Sequence, residues 1–518
     1  MIYTFIGSGG KTTAIFQLAQ KLLSIRKTVL ITTTTHIHTP EAFARTGRAL
    51  PFYTPSYFST NADPSDILSH LKKDGICIAA VPSPRDPQKL TALPEDVYTK
   101  VCPAADVVLV EGDGSRGLPL KAPSPDEPVI PQNTDEILLF CGMNALGKPL
   151  CEVIHRVQNI KKDPGSAFFD RKDFNDPTEL PQIENLIRCG YQDRLSRRFP
   201  DIPLRLCPTR ARSLYERCCA SVLVSGLNPS LIKADWFTPA PDLVLLGGGH
   251  VSQALYQMAC LLDYPVTVID DRPEFLTVER FPQARRICAD FSTLEQILPT
   301  KPGALYAVLT RGHQWDLFCV ETILKKAPRR GYLGMIGSRR KVAQTLETLK
   351  SEGFSDSELN LIHAPIGLDI GAQTPAEIAV SITAQLIQVT RQKRSSSAFP
   401  ADLQNLEKKE RLCGAMALII QKEGSAPRAE GSIMVRETDG TTTGTVGGGV
   451  LEYAILKDLA ELSQKPAPET GKNDIQTAVS ELFPKRSARL KTYSVSNEES
   501  AGLGMICGGK VTVLLATL

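Results

Sequence analysis

Ile2-Tyr-Thr-Phe-Ile-Gly7-Ser-Gly-Gly10-Lys11-Thr12-Thr13 opens the chain, and its reading decides the fold of the first third. A short strand-forming run enters a glycine turn. Beyond the turn, Ile15, Leu18, Ala19, Leu22 and Leu23 recur at helical spacing. Strand, glycine turn and helix in that order make a phosphate loop. The glycines let the backbone curl until successive N–H groups point at one anion, and the helix start adds its partial positive charge. In such a loop Lys11 neutralises β/γ-phosphate oxygens and Thr12 reaches Mg²⁺. Gly7, Gly9, Gly10, Lys11 and Thr12 are therefore candidate nucleotide-binding residues. One departure stands out: the usual pattern places a glycine five residues before Gly10, where this chain has Phe5. The competing reading is a tight turn with a helix cap.

Working outward, residues 28–32 form a second strand that runs into Thr32-Thr-Thr-Thr35-His36. Residues 106–111 are a continuous apolar run, the pattern of a parallel strand buried on both faces. That strand ends in Glu111-Gly-Asp113-Gly-Ser-Arg116. A carboxylate at such a strand end, beside a phosphate loop, is where Mg²⁺ or its water is held. Glu111 and Asp113 therefore join Thr12 as candidate metal ligands, with turn formation by Asp-Gly as the alternative.

The pattern restarts near residue 239. A strand at 242–246 enters Gly247-Gly-Gly249-His250. Val251, Ala254, Leu255, Met258, Ala259 and Leu262 then mark one helix face, and a strand follows at 266–269. Gly247 and Gly249 meet the first two positions of a GxGxxG turn, and Ser252 is small enough for the third. Asp270 falls at the next strand end, where an acid bonds a ribose hydroxyl. Gly247, Gly249, His250 and Asp270 thus read as a dinucleotide-type site. Asp271 and Arg272 leave ribose against 2′-phosphate open. Further strands at 305–309 and 332–336 end in Thr310-Arg311-Gly-His313 and Gly337-Ser338-Arg339-Arg340-Lys341. Ligands gather at such C-terminal strand ends. Ser338, Arg339 and Arg340 suit an anionic group, and His313 is a candidate catalytic proton donor. The alternatives are a solvated basic helix start and a capping histidine. Thr374-Pro-Ala-Glu377 reads as a capping box.

Residues 391–411 are polar and charged, a linker or exposed helix. Residues 412–518 carry short apolar runs between glycine turns, a small α+β pattern, with a charged excursion at 465–491 that reads as mobile. Gly448 and Gly449 lie in a turn able to cradle an anion. Cys507 sits between Gly504 and Gly508, where backbone donors favour the thiolate, the form that binds metals or accepts sulfur. It is a candidate catalytic residue; packing as a small buried thiol is the alternative. The expected architecture is α/β: a P-loop-like parallel-sheet domain at 1–236, a Rossmann-type domain at 239–390, a linker at 391–411 and an α+β domain at 412–518.

Composition sets the exclusions. Lys and Arg number 59 against 56 Asp and Glu, a net charge of +3 that gives no bulk attraction to nucleic acid or an anionic membrane. No apolar run approaches the length of a membrane span, and the N-terminus lacks the form of a secretory signal, so a cytoplasmic location is expected. Thirteen cysteines without a CxxC pair read as scattered thiols, not as a disulfide framework.

GSGGKTT at 7–13 has the shorter form seen in Mur-ligase-type loops. Together with TTTTHI, VEGDGSRGLPLKAP, DEPVIP and His155-Arg156 it resembles the YqeC family, associated with maturation of selenium-dependent molybdenum hydroxylases. LLGGGHVSQAL, VTVIDDRPEF, GYLGMIGSRRKV and HAPIGLDIGAQTPAEIAVSI resemble the Rossmann half of the XdhC/CoxI family. The motifs around Gly424, Gly444–Gly449 and Cys507 resemble its other half, here in permuted order. The resemblance implies an accessory role in maturing molybdenum hydroxylases: binding molybdenum cofactor (molybdopterin), assisting its sulfuration or selenation, and delivering it to the apo-hydroxylase. A cysteine desulfurase or selenium donor and a homo-oligomer are implied as partners. The first domain is expected to bind ATP or GTP with Mg²⁺, with triphosphatase activity left open. The last domain is expected to fold back over the Rossmann crevice, the two holding pterin or NAD(P) between them. The competing class is an NAD(P)-dependent oxidoreductase using His313.

Overall fold

A computed structural model of the chain describes residues 1–47, 49–114, 116–162, 174–393, 399–409, 412–425, 428–463, 474–495 and 509–518. The opening run forms β1 (Ile2–Gly7) and α1 (Lys11–Ser24). They are followed by β2 (Val29–Thr33), β3 (Phe58–Ser59), β4 (Ile76–Ala79), β5 (Val107–Glu111), β6 (Glu136–Gly142), β7 (Leu204–Thr209) and α2 (Leu214–Val224). The seven strands make one parallel sheet in the order β7-β6-β1-β5-β2-β4-β3. β5 is buried along its length, which is why its sequence is an unbroken apolar run. β1 lies between β5 and β6, with Phe5 beside Glu111 and Gly7 beside Phe140. The glycine turn therefore leaves the sheet between two strand ends.

The second parallel sheet contains β8 (Leu243–Leu246), β9 (Val266–Asp270), β10 (Arg285–Cys288), β11 (Leu305–Val308) and β12 (Tyr332–Met335) in the order β10-β9-β8-β11-β12. Its helices include α3 (His250–Leu261), α4 (His313–Lys326), α5 (Arg339–Ser351) and α6 (Pro375–Lys393). This is the doubly wound order, and its direction reverses between β8 and β11. α6 starts as the capping box predicts: Glu377 accepts from Gln373 N and Thr374 N at 2.8 and 2.9 Å, and Thr374 Oγ1 accepts from Glu377 N at 3.3 Å.

A short helix, α7 (Ala401–Glu407), lies in the expected linker. The last segment holds β13 (Gly414–Gly424), β14 (Ile433–Glu437), β15 (Thr442–Gly444), α8 (Gly449–Ser463), α9 (Asp474–Leu482), β16 (Ala488–Val495) and β17 (Gly509–Thr517). Its antiparallel sheet runs β15-β14-β13-β17-β16. The architecture is thus the expected α/β combination of two parallel sheets and a small α+β segment.

Two differences from the sequence reading matter. The charged excursion at 465–491 contains α9, whose Ile475, Ala478 and Val479 are buried with Ile15, Leu18, Ala19 and Leu22 of α1. Phe483, just beyond α9, meets Phe5 and Phe140 edge-on at 6.3 and 5.5 Å. The three apolar positions of α9 fit a helix face, but charged flanks hide them in the sequence. The second difference is the grouping of the chain. Met1–Ile232, Lys409–Arg428 and Ile433–Leu518 form one compact unit; Lys233–Lys408 and Ala429–Ser432 form another. The last segment is therefore built into the phosphate-loop unit, and α2 backs its sheet through Ser221 Oγ, which donates to Thr517 O at 2.6 Å. No helix among the described residues is long and apolar enough to cross a membrane.

The packing of α9 on α1 has a direct test. Ala478→Asp places a carboxylate where no partner waits, at a cost of a few kcal/mol. The unfolding midpoint in calorimetry is expected to fall by roughly 5 °C or more. An unchanged midpoint would remove α9 from this core.

Candidate functional site

Glycine is required in the loop for steric reasons. Gly7 has φ +84°, and a Cβ there would lie 2.2 Å from Phe140 O; Gly9 has φ +94°, and its Cβ would lie 2.5 Å from Gly142 N. Gly10 caps α1 without any side-chain hydrogen bond. The first N–H groups of that helix thus have neither intrahelical partners nor a capping side chain, which is the arrangement that receives an anion.

Beneath the loop lies a buried ionic cluster. Lys11 is 3% exposed and Asp113 fully buried, with Nζ 2.7 Å from Oδ1. Lys11 Nζ also donates to Gly7 O. Asp113 Oδ2 accepts from Gly7 N at 3.1 Å and from Tyr191 OH at 3.3 Å. The fully buried Lys121 lies 3.4 Å from Asp113 Oδ2 and 2.9 Å from Glu127 Oε2, and Arg156 closes the chain on Glu127 at 2.5 Å. The Lys11–Asp113 and Lys121 contacts are ion pairs more than aligned hydrogen bonds. Asp113, read from sequence as a metal ligand, sits here as the counter-ion of two lysines and the anchor of Gly7.

Glu111 sits differently. Both its oxygens lie 3.4 Å from Thr12 Oγ1. Burial pushes its carboxyl up to about 7, against the pull of Lys11 and with a further push from Asp113. Among the described residues no group of three or more His, Cys, Asp or Glu is placed to hold a metal. Mg²⁺ characteristically takes one or two protein oxygens and completes its shell with phosphate and water. Thr12 and Glu111 fit that role.

Two cavities flank the loop and share Gly9, Gly10, Thr13 and Arg210. One, of about 890 Å³, is lined by Lys11, Thr12, Glu111, His36, His155 and Arg156 among others. The other, of about 1170 Å³, is lined by Gln17, Arg205, Thr209, Leu223, Phe483 and Arg486 among others. Lys121, Tyr191, Arg205 and Arg486 are residues that sequence reasoning did not single out. Lys121 lies within the quoted LPLKAP stretch but carries no spacing signal of its own.

In the Rossmann unit Gly247 has φ +107°, with Leu309 O 2.4 Å from where a Cβ would stand, so the turn again demands glycine. His250 is exposed at the start of α3. Asp270 is 1% exposed and accepts from Gly248 N at 2.6 Å; Arg272 donates to it through N, Nε and Nη2, each at 2.9 Å. Burial alone would raise the Asp270 carboxyl, but these donors outweigh it and hold it low. Both oxygens that would read a ribose are thereby committed. His313 opens α4 with Nδ1 buried and unpartnered among the described residues. Asp316, fully buried and raised by that burial, takes Thr310 Oγ1 at 2.6 Å and pairs with Lys341. Ser338 caps α5, accepting from Lys341 N at 3.4 Å, while Arg339 is 91% exposed and Arg340 is exposed beside it. The glycine turn, His313 and the basic start of α5 thus stand at ends of neighbouring strands, as the crevice rule expects.

In the last segment the glycine turn is filled from within. Glu452 accepts from Thr445 Oγ1 at 2.6 Å, Val446 N at 3.2 Å and Gly448 N at 3.1 Å. Burial raises its carboxyl, and these bonds more than reverse the effect. Of the anion cradle read at Gly448 and Gly449, the Gly448 N–H thus faces the chain's own carboxylate, and Gly449 begins α8. Cys507 lies outside the described residues. Burial pushes the thiols of Cys77, Cys207 and Cys218 up to about 12, which disfavours their thiolates.

Three family models match along the chain: the YqeC protein at 3–158, the XdhC Rossmann domain at 243–386, and the XdhC and CoxI family at 409–470. The chain is 34% identical over 29% of its length to the uncharacterized protein YqeB of Escherichia coli (strain K12), covering 27% of it. It is 34% identical over 30% of its length to the uncharacterized protein YqeC of the same organism, covering 57% of it. It is 30% identical over 30% of its length to a probable xanthine dehydrogenase subunit of Bacillus subtilis (strain 168), covering 44% of it. The chain thus spans between 27% and 57% of these relatives. It joins a YqeC-like segment, an XdhC-type Rossmann segment and an XdhC/CoxI-type segment in one polypeptide.

Glu111 yields a pH prediction. Its folded-state carboxyl titrates at about 7 against an ordinary value of 4.5, so folding favours the protonated form. Its stabilising contribution is complete below about 4.5 and is lost as pH rises through 7. Urea unfolding of the ligand-free protein is expected to lose up to about 3 kcal/mol across that window. Glu111→Gln should flatten the profile; an unchanged slope would place the titration elsewhere.

Proposed function

We propose that the chain is an accessory protein in the maturation of molybdenum hydroxylases of the xanthine dehydrogenase type. In this reading the first unit binds ATP or GTP with Mg²⁺, and the Rossmann unit takes the phosphate-bearing pterin of molybdenum cofactor. The client is an apo-hydroxylase, and a cysteine desulfurase or selenium donor supplies the atom added before insertion. The run of YqeC-type, XdhC Rossmann-type and XdhC/CoxI-type matches supports the role, as does the name of the Bacillus subtilis relative.

The observation that carries the nucleotide part is the uncapped loop above Lys11. Lys11 is already buried and aimed by Asp113, and it can exchange its Gly7 carbonyl for a phosphate oxygen without leaving the cluster. Thr12 and Glu111 stand where Mg²⁺ or its water would be held. Bound nucleotide supplies a phosphoryl group whose hydrolysis times cofactor release; the chain orients it and neutralises its charge. In the Rossmann unit, the Gly249 N–H, Ser338, Arg339 and Arg340 offer donors and cations to the cofactor phosphate. The competing oxidoreductase reading needs a ribose acceptor, and the commitment of Asp270 to Arg272 and Gly248 counts against it.

The test is delivery to a co-expressed hydroxylase. Lys11→Ala should cost tenfold or more in Mg-nucleotide affinity, the loss of one charge-assisted contact worth about 1.5–3 kcal/mol. It should abolish gain of hydroxylase activity while the purified variant keeps its pterin content. A wild-type protein that retains neither pterin nor nucleotide and gains neither on titration would overturn the proposal.

A further inference from the structure

The two cavities beside the phosphate loop are not equivalent. Lys11, Thr12 and Glu111 line the smaller one and are absent from the lining of the larger. These are the groups that meet the terminal phosphates and the metal. A triphosphate laid along Gly9–Thr13 with its terminal end at Lys11 and Thr12 therefore carries its sugar and base out on the opposite side, past Thr13. That side is the cavity of about 1170 Å³, large enough for a nucleoside by the usual range of about 300–1,000 Å³ for small-molecule sites. Its walls combine apolar side chains, Leu206, Leu223 and Phe483, with the guanidinium groups of Arg205 and Arg486.

Arg486 and Arg205 each hold a buried Nη1 with no hydrogen-bond partner among the described residues. Arg205 is tied to Glu136 at 2.7 Å through Nε. No acid pairs with Arg486 among the described ion pairs. Burial, with the nearby charge of Arg217, pulls it down to about 10, so its cation is held at a cost in the ligand-free protein. A guanidinium fork presents fixed, parallel donors that match the acceptor edge of a purine or a phosphate oxygen pair. Arg486 comes from the far end of the chain. It reaches this wall because α9 packs on α1 and Phe483 packs on Phe5 and Phe140.

We infer that the larger cavity is the nucleoside subsite of the phosphate loop, and that Arg486, supplied by the last segment of the chain, completes it. This rests on the phosphate-loop reading above and adds which cavity takes the base and which segment senses it.

The experiment is calorimetric titration of the full chain with Mg²⁺ and, separately, ATP, GTP and inorganic triphosphate. Arg486→Gln should weaken the better-bound nucleotide about tenfold or more, the cost of losing a charged contact, while triphosphate affinity stays within about twofold. Its ligand-free thermal midpoint should hold or rise, because an uncompensated buried charge is gone; this also checks folding. His36→Ala, on the smaller cavity, should leave discrimination between nucleotide and triphosphate intact. Equal affinities for nucleotide and triphosphate in the wild type would overturn the inference. So would a parallel loss of both in Arg486→Gln, or a selective loss in His36→Ala instead. If the wild type binds neither probe, the phosphate-loop reading fails first and takes the inference with it.

Discussion

The phosphate-loop unit depends on one carboxylate between two buried ammonium groups. Removing an ammonium from water costs several kcal/mol, and only close, well-placed opposite charge offsets it. Asp113 supplies that charge to Lys11 and Lys121 at once, and it also takes the Gly7 N–H and the Tyr191 hydroxyl. Four parts of the chain are thereby fixed against each other: the end of β1, the start of α1, the segment after β5 and the helical turn carrying Tyr191. Lys11 gains from this as a ligand group. A lysine already desolvated and confined has less conformational entropy to lose when a phosphate arrives. The same arrangement explains why Glu111, two residues earlier, stands with Thr12 and makes none of the cluster's ion pairs, although it feels the charges of Lys11 and Asp113. Residues two apart in an extended chain point to the same face, but here the strand ends at Glu111, and the turn sends Asp113 under the loop.

Three of the glycine turns that open helices among the described residues send their N–H groups to three different fates. At Gly10 the helix start has no side-chain cap. At Gly248 one N–H goes to Asp270, which Arg272 then neutralises. At Gly448 the N–H goes to Glu452. A glycine-rich sequence before a helix predicts a place where backbone donors converge. It does not say whether a ligand or the protein's own acid will take them. The carboxylate that decides lies 22 residues away for Gly248 and four for Gly448; the first is the acid that the dinucleotide pattern would give to a ribose, and the second lies outside any such pattern.

That distinction marks how far the sequence could be read. The parallel strands were legible because burial on both faces leaves continuous apolar runs, as in β5 and β8, and the capping box at Thr374 was legible because its chemistry is local. The strand ends that carry Glu111, Asp270 and His313 followed from the same periodicity. What escaped was non-local. Lys121 acquires meaning only when the fold brings it to Asp113, and Arg205 and Arg486 only when β7 and the residues after α9 wall the same cavity. α9 was hidden for a further reason. Its apolar stripe of Ile475, Ala478 and Val479 is short, and charged neighbours dilute any average taken across it.

The docking of α9 on α1 has a consequence that follows from thermodynamics alone. On the proposed reading, the helix start that takes phosphate and the helix that packs along its flank share one rigid element, so whatever orders α1 also biases the packing of α9. If Arg486 contributes a given factor to nucleotide affinity, nucleotide must in return favour the packed arrangement of α9 and its following residues by the same factor. Those residues lead directly into β16, the edge strand of the last segment's sheet. On the proposed reading, the nucleotide state of the first segment is thus connected to the last segment by covalent continuity through Phe483 and Arg486, with no further domain motion required. In the proposed role, a chain that holds a reactive cofactor and releases it only to its client needs such a link between an energy-bearing ligand and a distant surface. Joining a YqeC-like and an XdhC/CoxI-like segment in one chain supplies it within a single compact unit.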